Sequence, residues 1–347
     1  MLLTISSFLF VFTVVAIVHE AGHLFFSKRA GIRVHEFGIG FGPTIWQTKR
    51  DNTVYKLNII PILGYVKIAG IDTEDPQEKE TPETEKYYNK PASAKFMSIF
   101  AGAFMNIILG FVVFSFVIAL TGIPAGTSNI IKQITPGSVA AKVGLMAGDR
   151  LLGIDGNLIG DPEKAVEIIH QSADKEIQLI IDRSGKTMNI AAIPQYHKRM
   201  KVGLIGFALE PKYSPVNPLL AIYYGGKQTV GMILMVFSVL GRLVTGHIGL
   251  GDLAGPVGIA QISGQYAQQG LISLLSFLAF FSVNIAVLNL LPIPALDGGR
   301  LIFVLIELIT GKAVDIEKEN KIHSVGMTVL LILIAIISVN DILRFFR

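Results

Sequence analysis

Four stretches of the chain stay apolar long enough to cross a membrane, at residues 2–27, 96–121, 271–291 and 323–340. Each is close to the ~20 residues that a helix needs to traverse the hydrocarbon core. A fifth stretch, 217–245, is interrupted by Gly225, Gly226, Lys227, Gln228 and Arg242, a pattern that favours an amphipathic surface helix over a fifth span. Residues 124–212 carry the charge density of a soluble domain, with strand-like runs (SNIIKQI, DRLLGIDG, EIQLIID, KTMNIAAI) and one helical run, PEKAVEIIHQSA. That length suits one small mixed α/β domain. Between the first two spans, FGIGFGP and TVYKLNIIPILGYVKIAG combine β-favouring residues with glycine-rich turns and Pro61, which predicts short strands or a hairpin. The acidic run DTEDPQEKETPETEK reads as a solvated, mobile loop.

The pattern predicts a polytopic α-helical membrane protein of about four transmembrane helices, with a membrane-associated β-element and an inserted α/β domain. Its expected parts are an N-terminal membrane core at 1–121 that includes the β region 34–70, the inserted domain at 122–212, an amphipathic linker region at 213–270, and a C-terminal membrane core at 271–347. The first span is expected to be retained, because Met1–Val18 has no basic n-region and no cleavage site follows.

Composition sharpens this. Charged residues make up 16% of the 347 and hydrophobic ones 51%, against roughly 25% charged in soluble domains. The net charge of +4 is small, and no basic block interleaved with aromatics points to nucleic acid. There is no cysteine, so a metal site must use nitrogen and oxygen ligands. Lys28, Arg29 and Arg33 follow the first span, Lys86, Lys90 and Lys95 precede the second, and Lys312, Lys318 and Lys321 precede the fourth. With four spans these all fall on one side, which the positive-inside rule makes the cytoplasm. The inserted domain then faces outward.

Within the first span stands VHEAGH, with His19, Glu20 and His23. Positions i and i+4 share one face of a helix, so the two imidazoles address one point with Glu20 beside them. In H-E-x-x-H the histidines bind zinc and the glutamate serves as general base toward the attacking water. Ionisable groups inside a span are costly and by default functional. His23 precedes Lys28 by five residues, roughly 8 Å at 1.5 Å per residue, which puts the site inside the bilayer near its cytoplasmic face. A catalytic zinc takes three protein ligands. The candidate for the third is Asp297, in NLLPIPALDGGR, where Pro292 and Pro294 break the third span and Gly298 and Gly299 allow a tight turn. The remaining histidines, His35, His170, His197, His247 and His323, receive no role. A membrane metal carrier and an inactive scaffold are the rival classes. The first has no use for Glu20, and the intact ligand set disfavours the second.

These residues, together with Asn289–Gly299, GFGPTIW, PILGYVKIAG, GAFMN and LAGPVGIAQ, make the chain resemble the site-2 protease family, closely so the bacterial RseP-type subgroup. The resemblance implies Zn2+ held by His19, His23 and Asp297, with Glu20 catalytic. It implies substrate contacts from Gly102, Asn106, Asn284, Asn289 and, in the strand segment 53–69, Tyr65. That segment would pair with an unwound substrate by strand addition. SVAAKVGLMAGDRLLGIDGNLI resembles a PDZ domain, which would bind chain termini or act as a size filter. The implied activity is intramembrane endopeptidase cleavage of single-span proteins in a bacterial plasma membrane after an upstream site-1 protease has cut them. The substrates would be anti-sigma-factor-like proteins or, alternatively, signal-peptide remnants. The lipid bilayer is the other expected partner.

Overall fold

The computed structural model describes residues 1–71, 76–198, 200–249 and 254–345. The chain divides into two compact units, one formed by Met1–Ile118 with Pro218–Arg347 and the other by Ala119–Asn217.

The first unit is built on three helices: α1 (Leu2–Arg29), α2 (Ala92–Thr121) and, further along the chain, α7 (Leu271–Asn289). α1 and α2 run antiparallel: Ser27 meets Ser98, Gly22 packs on the carbonyl of Ala101, and His19 lies by Asn106. A Cβ at Gly22 would collide with that carbonyl, so glycine sets the approach of the two helices. α7 closes the group. Its Val283 packs on Gly110, Ser282 Oγ donates to the Asn106 carbonyl at 2.7 Å, and Phe277, Leu278 and Phe281 form a buried cluster with Val11 and Val15 of α1.

Between α1 and α2 lie β1 (Val34–Arg50) and β2 (Thr53–Ile68). Their hairpin loop is Asp51–Asn52, both at positive φ (48° and 62°), the conformation a two-residue turn requires. Each strand folds over partway, at Gly40 and Gly42 (φ 80° and 90°) and at Leu63 (φ 68°). Residues Glu36–Ile39 therefore pair with Val54–Leu57 on one side and with Gly64–Lys67 on the other. Residues 64–68 form an outer rung, and Gly64 lies against Glu20 and Ala16 of α1.

The described part of the acidic segment is mostly exposed, as expected of a solvated loop, but departs from that expectation at Glu78 and Thr81. Residues 72–75 lie outside the described residues. From Pro76 the chain forms short 3-10 turns at Pro76–Glu80, Glu83–Glu85 and Tyr87–Asn89. Glu78 is buried, accepting from Gly70 N–H at 2.7 Å and meeting His35 Nε2 at 3.2 Å. A carboxylate with two partners can be folded inward where a bare one could not.

The second unit begins with β3 (Ile123–Ile134), α3 (Val139–Lys142), β4 (Arg150–Ile154), β5 (Asn157–Leu158) and α4 (Pro162–Gln171). It continues with β6 (Ile177–Arg183), β7 (Lys186–Ala192), β8 (Gln195–His197), β9 (Val202–Leu204) and β10 (Phe207–Ser214). The main sheet runs β10-β3-β4-β6-β7, with β5 on β4, and β8 pairs β9 separately. Ile131, Leu151, Ile154, Ile169, Leu179 and Ile181 fill its core. α4 starts at a sequence-legible signal, with Asp161 capping Glu163 N–H and Pro162 in the first turn.

After this unit come α5 (Pro218–Val244) and α6 (Pro256–Gln268), and beyond α7 come α8 (Asp297–Thr310) and α9 (Ile316–Phe345). Among the described residues, five helices are long and apolar enough to cross a membrane: α1, α2, α5, α7 and α9. α5, expected as a surface helix, meets the length and composition of a span and runs unbroken through its glycines. Gly225 instead sits against Ser115 of α2, where a side chain would collide.

Candidate metal centre

α7 ends at Asn289, since the prolines at 292 and 294 cannot continue it. The chain turns through Leu290–Leu296 and re-enters a helix at Asp297, the first residue of α8. Gly298 and Gly299 pack on the carbonyls of Leu290, Leu291 and Ile293 so closely that a Cβ at either would collide. This tight turn returns the Asp297 carboxylate to α1. Its Oδ2 lies 3.2 Å from His19 Nε2 and 3.3 Å from His23 Nε2, and the two Nε2 atoms are 3.2 Å apart.

Among the described residues these three form the one His/Cys/Asp/Glu group able to hold a metal ion. Beyond its approach to the two Nε2 atoms, buried Asp297 Oδ2 makes no well-formed hydrogen bond, a costly state for a carboxylate oxygen unless a cation completes it. Two nitrogens and one carboxylate oxygen converging on a point are the donor set of a catalytic zinc with an open fourth position. The residues fit the ion.

The surroundings prepare the ligands. His23 Nδ1–H donates to the Ser98 carbonyl at 2.8 Å, which leaves the Nε2 lone pair free for a metal. The amide nitrogen Nδ2 of wholly buried Asn106 lies 3.4 Å from His19 Nδ1, and its Oδ1 has no partner, so turning the amide over exchanges the two. When Nε2 ligates, Nδ1 carries the proton, so the amide oxygen is the group that must face it. Gly102 gives the rings their space: a Cβ there would collide with His23 Nε2 and lie 2.7 Å from His19 Cε1.

Glu20 stands outside the ligand set and lines the same cavity. That cavity, of about 360 Å³, is bounded by His19, Glu20, Leu63, Gly64, Asn289 and Asp297 together with apolar residues of α1 and α7. Of the substrate-contacting residues expected, Asn289 lines it, Asn106 stands behind His19, and Gly102 lies under the imidazoles. The other two are engaged elsewhere and are not among its lining residues. Asn284 donates to the Phe280 carbonyl at 2.8 Å, and Tyr65 Oη donates to Glu36 Oε2 at 3.3 Å with its ring against Gly38.

Two histidines given no role from the sequence are buried and engaged. His35 meets Glu78, and His323 of α9 accepts the Ala295 N–H on Nδ1 at 3.1 Å. His323, at the edge of the fourth apolar stretch and close to Lys318, Glu319 and Lys321, carried no clear signal in the sequence.

The profile of Peptidase family M50 matches residues 7–333. The regulator of sigma-W protease RasP of Bacillus subtilis is 30% identical over 99% of both chains. A putative zinc metalloprotease of Clostridium acetobutylicum is 34% identical over 95% of both, and the probable protease eep of Enterococcus faecalis is 28% identical over 99% of both. Among solved structures, the PDZ domain of an SdrC-like protein of Listeria monocytogenes covers 24% of this chain and 86% of its own. Its identity is 23% and its TM-score 0.21, too low to carry an argument. The family match over nearly the whole chain agrees with a histidine pair, a carboxylate and a neighbouring glutamate set among membrane-length helices: the chain belongs to peptidase family M50, the site-2 proteases, and is an intramembrane zinc metalloendopeptidase.

Proposed function

We propose that the protein cleaves the transmembrane segments of single-span membrane proteins, of the anti-sigma-factor kind, after an upstream protease has removed their outer part. The name of the Bacillus subtilis relative, a regulator of sigma-W protease, supports that substrate class. The observation that carries the reading is the cavity at the metal centre, which is lined by Glu20 and Asp297 together with Leu63 and Gly64.

Bound zinc supplies a Lewis acid that polarises a carbonyl and brings the pKa of water to about 7. The residues of the chain do the rest. Glu20, facing the cavity but outside the ligand set, takes the proton of the attacking water and passes it to the leaving amine. Asn289 offers its amide to the peptide backbone. The rung at 64–68 lies beside Glu20, and we assign it the pairing of an unwound substrate by strand addition.

Orientation follows from counting crossings. His19 and His23 lie near the C-terminal end of α1, and Asp297 lies just past the C-terminal end of α7. Because the three meet, those two helix ends share a side of the membrane, and α2 has returned the chain to the opposite side. An even number of crossings must then separate α2 from α7. α6, with 13 residues, spans only about 20 Å at 1.5 Å per residue, so α5 does not cross alone despite its length. Four crossings remain. The lysine-rich ends then face the cytoplasm, the metal centre lies near that face, and the Ala119–Asn217 unit, which we read as PDZ-like, lies outside, where it binds chain termini or screens substrates by size.

Glu20→Gln tests the chemistry. The variant is expected to retain zinc and to leave a single-span substrate uncut in detergent or liposomes. Cleavage at a rate near wild type would remove Glu20 from the mechanism.

A further inference from the structure

The turn Leu290–Leu296 that delivers Asp297 is held mostly by its own short hydrogen bonds, Ile293 N–H to the Leu291 carbonyl at 2.7 Å and Leu296 N–H to the Ile293 carbonyl at 3.1 Å. Ala295 is different. Its backbone sits at φ 85°, a left-handed conformation that residues with a Cβ avoid. Its N–H points out of the turn to Nδ1 of His323, 28 residues further along the chain on α9.

α9 grips the turn in two further ways. Gly326, one helical turn beyond His323, packs directly on Pro294, where a Cβ would collide. Arg300 of α8 donates to Glu319 of α9 at 2.8 Å, which ties the helix that begins at Asp297 to the same partner. His323 is buried, and its Nε2 has no hydrogen-bond partner. With Nδ1 accepting, the ring proton sits on that unpartnered Nε2. The imidazole gives up one hydrogen bond to present an acceptor to Ala295, which is hard to understand if it served only as filler.

We propose that His323 is a positioning residue for the third metal ligand. By accepting the Ala295 N–H it fixes the left-handed turn that carries Asp297 Oδ2 to His19 and His23. The inference rests on the zinc reading of the site. It makes α9, which supplies no ligand, part of what determines metal affinity.

Zinc affinity of the full-length chain in detergent, measured by competition with a chromophoric chelator, tests this apart from activity. In His323→Asn the side-chain oxygen keeps an acceptor at the δ position, in His323→Gln it lies one bond further out, and in His323→Leu it is gone. His323→Asn is expected within ~3-fold of wild type, and His323→Gln and His323→Leu at least ~10-fold weaker, the loss expected for one hydrogen bond. A Leu variant binding as tightly as wild type overturns the proposal, as does an Asn variant as weak as Leu. Should the Leu variant fail to fold, the two polar variants decide: Gln binding as tightly as Asn overturns it. Asp297→Ala, run alongside, separates the two readings. If it retains wild-type affinity, the ligand assignment itself fails and this inference with it.

Discussion

The sharpest consequence of the site concerns a residue that supplies no metal ligand. Substituting Gly102 with alanine places a methyl group against both imidazoles, colliding with His23 Nε2 and 2.7 Å from His19 Cε1. Ordinary carbon contacts lie at roughly 3.5–4.0 Å, so the rings must retreat by most of an ångström. They have nowhere easy to go. His23 is tied through Nδ1 to the Ser98 carbonyl of the same helix, and His19 is backed by Asn106, one turn beyond Gly102. Overpacking of this kind costs about 1–3 kcal/mol. Because the displaced atoms are the ligand nitrogens, the cost falls on zinc binding, a loss of roughly 5- to 150-fold in affinity. The assay is the same chelator competition, with Gly231→Ala on α5 as control, since a Cβ there meets nothing within 4 Å. Zinc affinity in Gly102→Ala within twofold of wild type would refute the reasoning, because the helix would then have absorbed the methyl group without moving the ligands.

Two further outcomes follow from the geometry. Asn106→Leu should weaken zinc binding ~10- to 100-fold, as losing the partner of a ligating histidine does, whereas Asn106→Asp, which still presents an acceptor to His19 Nδ1, should lose less; equal losses would show that the amide does not orient the ring. In the Ala119–Asn217 unit, Arg183 donates to both oxygens of buried Asp149 at 2.7 Å and holds its carboxyl below the usual carboxylate range. A carboxylate depressed in the folded state contributes stability that is present above its unfolded pKa of about 3.9 and is lost as pH falls through the lower folded value. Denaturant titrations should therefore show Arg183→Leu less stable than wild type at pH 7, with a flatter decline below pH 4.

How much of this was legible beforehand differs from part to part. The H-E-x-x-H face of α1 follows from helical periodicity alone, and Asp297 was the one acid placed beside a break in a later span, so composition and spacing sufficed to nominate the ligands. The described part of the acidic segment is mostly exposed, as its charge suggested, but Glu78 folds inward because Gly70 and His35 partner it. α5 was expected as a helix, and it is one continuous helix through its glycines, with Gly225 packed against Ser115 of α2.

By itself the sequence determined what is local or additive: the approximate lengths of the apolar helices, the i, i+4 histidine pair and the β character of the segment between the first two spans. Only the tertiary structure decided what depends on approach between distant segments. It showed that Gly102 serves the imidazoles by being absent as a side chain, that Asn284 and Tyr65 are engaged away from the cavity, and that His323 supports the turn before Asp297. The reason is physical. Periodicity is a property of one segment, whereas clearance, ligand convergence and the partner of a buried N–H belong to pairs of segments that only the folded chain brings together.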